Sequence, residues 1–176
     1  LASIHQAQLT HGDVKPDNVL VESIREPRLK LVDFGLSGTQ RGGTLTYAAP
    51  ERLQGQPSSP SADCYALGMV LWEVIHGGLP WPELDRSEAL LKRTHSVPLP
   101  QRGGPVVREL LAGLLSTDPA NRPDAAYVAD RLQRHGVPAP PPSLDLLRRR
   151  ARSARVLTPM LVDVVESWLQ QGGHLA

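Results

Sequence analysis

The stretch HGDVKPDNVLVESIREPRLKLVDF, residues 11–34, decides how the rest of the chain is read. It opens with a turn-rich octet, His11 to Asn18, whose proline and turn formers do not suit a helix. Two short β-type runs follow, VLVES and RLKLVDF, separated by IREP, which together read as a hairpin. The open end of that hairpin brings Asn18, just before the first run, beside Asp33, near the end of the second. Phosphoryl transfer from a nucleotide needs a group to orient the attacking hydroxyl, oxygen ligands for Mg²⁺, and positive charge on the γ-phosphate. The octet offers all three. Asp13 is the candidate to accept the hydroxyl proton, Lys15 to contact the transferring phosphoryl group, and Asn18 to ligate Mg²⁺, with Asp33 as a second metal ligand.

Working outward, Leu1, Ile4, His5 and Leu9 fall near one helical face, as in the last turns of an amphipathic helix. After the hairpin, the Gly/Thr-rich GLSGTQRGGTLTYAAPE reads as a loop. ADCYALGMVLWEVIHGG is apolar almost all round, so a helix over Ala62 to His76 is expected to be buried on every side, ending at Gly77 and Gly78. SEALLKRT is a short helix with Ser87 as its candidate cap. Val106, Val107, Leu110, Leu111, Leu114 and Leu115 recur with helical period from Pro105, and Asp124 caps a further helix carrying Tyr127, Val128 and Leu132.

A Pro-rich linker, residues 137–143, marks a domain edge. Beyond it, residues 144–176 hold Arg148, Arg149, Arg150, Arg152 and Arg155, read as a solvated face. They also hold an amphipathic helix whose stripe runs from Met160 to Leu169, with Thr158 as N-cap and Pro159 at its first position.

Bulk properties narrow the classes. At 176 residues the chain suits one domain with its own core. A formal charge of +1 gives no global field toward nucleic acid or a membrane, and no apolar run has the length of a membrane span. A lone cysteine, Cys64, excludes a disulfide and a thiolate metal cluster, and reads as a small buried apolar residue. A cytoplasmic protein is the expectation. Sixteen arginines against three lysines point to a GC-rich bacterial genome.

The octet resembles the catalytic loop of the protein kinases, and Asp33-Phe34-Gly35 resembles the metal-binding motif that opens their activation segment. Ala49-Pro50-Glu51 is similar to the motif that closes it. ADCYALG resembles the buried helix whose Asp, here Asp63, holds the catalytic-loop backbone. DPANRP resembles the segment whose Arg, here Arg122, pairs with the Glu of the closing motif, here Glu51. The resemblance covers roughly Leu1 to His135. It implies a mainly α fold of the α+β kinase family, a C-terminal lobe over residues 1–136 with one small hairpin. It also implies transfer of the ATP γ-phosphate, with Mg²⁺, to a protein Ser or Thr. Asp13 and Lys15 are then the catalytic pair, with Lys15, Asn18 and Asp33 binding the nucleotide and metal. His11 is a packing residue, and the other histidines are incidental. Thr44, in GGTLTY, resembles the Thr that hydrogen-bonds the catalytic Asp and Lys of Ser/Thr kinases, so it is the substrate-positioning candidate.

Two departures carry further expectations. Gly12 stands where regulated kinases have an Arg that pairs with an activation-loop phosphate, so activity is expected without such phosphorylation. No GxGxxG occurs, Lys30 lies in the wrong strand, and Lys92 falls after the closing motif, so the parts of an N-terminal lobe are expected upstream of Leu1. The 176 residues alone are then expected to be inactive. A kinase remnant serving as a binding module is the alternative. A small-molecule phosphotransferase, a class that often carries HGD, is the more distant one.

Overall fold

The computed structural model describes residues 1–23, 28–33, 45–81, 86–95, 97–99 and 104–135. Phe34, Gly35, Thr44, the 137–143 linker and the C-terminal stripe lie outside these residues. The described chain is mostly helical, with one two-stranded antiparallel sheet.

Helix α1, Ala2–Gln6, leads into the octet, whose last three residues, Pro16–Asn18, form a single 3-10 turn. Strands β1, Val19–Ser23, and β2, Arg28–Leu31, form the expected hairpin. Its register is Val19 opposite Leu31, Leu20 opposite Lys30 and Val21 opposite Leu29, with an irregularity between Val21 and Ser23. Val19 is buried while Leu20, Leu29 and Lys30 are exposed, so the sheet meets the body near its open end.

Helix α2, Pro50–Leu53, begins inside the closing motif that the sequence reading placed in a loop. Proline at its first helical position needs no N–H partner there, which favours the start.

Helix α3, Pro60–His76, is the centre of the fold. It starts two residues before the apolar run, because Ser59 caps it: the hydroxyl accepts the Ala62 N–H at 3.1 Å. It stops at Gly77 in the left-handed region. Residues on all its sides are buried, among them Cys64, Tyr65, Met69, Trp72 and Ile75. One side packs with Ala49, Val97, Val107, Leu111 and Leu115, the other with Leu110, Leu114, Ala125 and Val128. Helix α5, Pro105–Leu114, crosses α3 at Gly68, where a Cβ would stand 2.9 Å from Leu114 Cβ and Leu115 Cδ2. Only glycine permits that approach. The Trp72 indole N–H donates to Pro98 O at 2.7 Å, so its one polar atom is satisfied in the core.

Helix α4, Arg86–Thr94, packs on α2, and α6, Ala125–Arg134, packs on α1. Asp124 caps α6 as expected, accepting the Tyr127 N–H at 2.7 Å. Two local expectations fail. Ser87 lies within the first turn of α4 rather than before it. Leu9 is beyond the end of α1 and 55% exposed. Period alone does not fix where a helix ends or which side a neighbour covers. Among the described residues no helix is long and apolar enough to cross a membrane. Burial pushes the Cys64 thiol up to about 11, so it stays protonated and inert at neutral pH.

Candidate active site

The octet has little secondary structure of its own, so its shape must be imposed from outside. Asp63, in the first turn of α3 and 2% exposed, does this. Its carboxylate accepts the His11 N–H and the Gly12 N–H, each at 2.8 Å, and His5 Nε2 donates to it at 3.0 Å. A buried carboxylate needs such donors, and the helix N-terminus adds a favourable dipole. Gly12 turns through φ +82°, a left-handed conformation that costs glycine little. His5 is therefore not incidental: it helps carry the carboxylate that anchors the loop. It lies on α1, ahead of the octet, and no periodicity links it to a carboxylate 58 positions on.

His11 is completely buried. Its Nε2 faces Val32 O at 2.9 Å, a group that only accepts, and its Nδ1 faces the Asp13 N–H at 3.3 Å, a group that only donates. The ring is thus the Nε2–H tautomer, with both nitrogens committed to structure. It ties the octet to the end of β2.

Three of the candidate residues converge. Lys15 Nζ lies 2.7 Å from Asp13 Oδ2. Asn18, 5% exposed, donates its Nδ2 to the Asp13 carbonyl at 2.8 Å and to Asp13 Oδ2 at 3.1 Å. Those donations turn Asn18 so that its amide oxygen is the atom left for a hard cation. The hairpin supplies the fourth residue. Beyond the Val19–Leu31 pair, the Val32 N–H donates to Asn18 O at 2.9 Å, which sets Asp33 one residue past the ladder at the same end. Asp33 is exposed and adopts φ +61°, an uncommon left-handed conformation for a residue with a Cβ. Such strain clusters at functional positions.

Among the described residues no group of three His, Cys, Asp or Glu side chains forms a metal cage. A Mg²⁺ held by one or two side-chain oxygens plus substrate phosphates needs none, and Asn18 with Asp33 is a donor set of that kind.

The site's flank is built from α2, α3 and the segment before α6. Arg122 grips Glu51 in a two-pronged pair, Nη1 to Oε1 at 2.6 Å and Nη2 to Oε2 at 2.8 Å. Its other donors reach Ser116 O at 2.9 Å, Ser61 O at 3.1 Å and Thr117 O at 3.4 Å, and it lies 4.9 Å from the Tyr65 ring centroid. The Arg122 side chain has no exposed surface and Glu51 only 16%. Tyr47, in the 3-10 turn Leu45–Tyr47, donates its hydroxyl to Glu73 of α3 at 2.6 Å. Burial and the Glu73 charge hold the Tyr47 hydroxyl well above the usual tyrosine range, so it remains a donor. Burial also raises Glu73; the Tyr47 hydrogen bond opposes this and the Asp17 charge adds to it. The sequence reading singled out neither residue, since they are 26 positions apart.

Residues 1–133 match the protein kinase domain family. The serine/threonine-protein kinase PknA of Mycobacterium tuberculosis is 36% identical over 130 residues, which cover 67% of this chain and 30% of that protein. The ribosomal protein S6 kinase alpha-1 of Homo sapiens is 33% identical over 149 residues, 77% of this chain and 20% of that protein. The chain thus spans less than a third of the length of either relative. The family match covers the octet, the hairpin, the Glu51–Arg122 pair and the described helices except for the last residue of α6, and with these relatives it shows that the chain belongs to the Ser/Thr protein kinase family.

Proposed function

We propose that this chain is the C-terminal lobe of a Ser/Thr protein kinase, transferring the γ-phosphate of ATP to a protein hydroxyl. The observation that carries the reading is the convergence of Lys15 and Asn18 on the Asp13 carboxylate, at the hairpin end that also bears Asp33. In the reaction the acceptor oxygen bonds to the γ-phosphorus, the bond from that phosphorus to the β,γ-bridging oxygen breaks, and ADP leaves. Asp13 orients the hydroxyl and takes its proton. Lys15, beside it, balances negative charge on the transferring group. Asn18 and Asp33 are the residues to hold Mg²⁺, which when bound neutralises phosphate charge. Asp63 and His11 keep the octet in the shape these roles require.

Supporting a protein acceptor over a small alcohol are Asp63, the closing motif and the Glu51–Arg122 pair, which extend the site's flank. Lys15 and Thr44 favour Ser or Thr over Tyr. The full-length protein, given Mg·ATP, is expected to phosphorylate Ser/Thr peptides and neither Tyr peptides nor small amino alcohols. Labelled phosphate appearing only on a small alcohol sinks the protein-kinase reading. ATP binding with no transfer to any acceptor supports the binding-module reading instead.

The 176 residues alone carry no Gly-rich phosphate loop and no second lysine placed for the α- and β-phosphates. Phosphoryl transfer depends almost wholly on positioning and electrostatics. Calorimetry on this chain is therefore expected to detect no micromolar binding of Mg·ATP, with no turnover above background. Micromolar affinity would mean that some segment within it replaces those parts.

A further inference from the structure

We draw no further inference here: the strongest candidate, the cluster at the junction of α1 and α3 where His5 and the His11 and Gly12 backbone meet the buried Asp63 carboxylate, belongs to the site already described.

Discussion

Asp13→Asn and Asp33→Asn are each expected to reduce phosphoryl transfer by the full-length protein roughly 10²–10⁴-fold, the range associated with losing a general acid or base. Both variants are expected to remain folded. The two act at different points. Asp13→Asn keeps the shape of the side chain, but the amide cannot take the hydroxyl proton and lacks the charge that pairs with Lys15. Asp33→Asn withdraws the carboxylate proposed to hold Mg²⁺. The fold survives both changes for physical reasons. The Asp13 backbone N–H and carbonyl keep their bonds to His11 and Asn18. Asp33 is exposed, and asparagine tolerates its left-handed backbone at least as well. Titrating Mg·ATP separates the roles, because only Asp33→Asn should weaken metal-dependent nucleotide binding. Wild-type phosphorylation by both variants would remove the assigned chemistry.

The second large effect is on stability. Arg122→Ala leaves Glu51, only 16% exposed, as a nearly buried carboxylate, and it strands carbonyls of Ser61, Ser116 and Thr117. Breaking a buried pair in this way costs about 3–5 kcal/mol. For a domain of this size that is a fall in Tm of roughly 6–20 °C. Arg134 supplies the contrast. It pairs with Asp130 one turn along α6, with side chains 72% and 49% exposed. Arg134→Ala should change stability by less than about 1 kcal/mol. Differential scanning calorimetry on the two variants checks the pair of expectations, and equal melting temperatures would mean that Arg122 is not bearing a buried charge.

The first expectation draws on residues close together in the chain, the second on a pair 71 positions apart, and the difference separates what the sequence carries from what it does not. Short-range relations are written in residue order. Two short β-type runs on either side of a Pro-containing break make the hairpin, and the hairpin carries Asn18 and Asp33 to the same open end. An apolar run with no polar face makes α3 the centre, and Asp124 ahead of Tyr127, Val128 and Leu132 starts α6. Asp63 holding the loop and Arg122 holding Glu51 followed from family resemblance, and the geometry agrees with both. No spacing rule would have supplied them.

Tertiary structure decided the rest. His5 reaches Asp63 across 58 positions, Tyr47 reaches Glu73 across 26, and Arg93 reaches Thr46 across 47. In sequence these are a histidine on a short helix, a loop tyrosine and one of two adjacent cations in SEALLKRT. Helical period reports which residues share a face, but not what lies opposite that face. Hence Leu9 is exposed although its pattern put it on the helical face, and Arg93 is buried although its chemistry put it outside. The order of the motifs named the family and its candidate chemical residues; packing decided which polar groups hold the octet, Asp63 and His5 among them, because that depends on which faces meet in space.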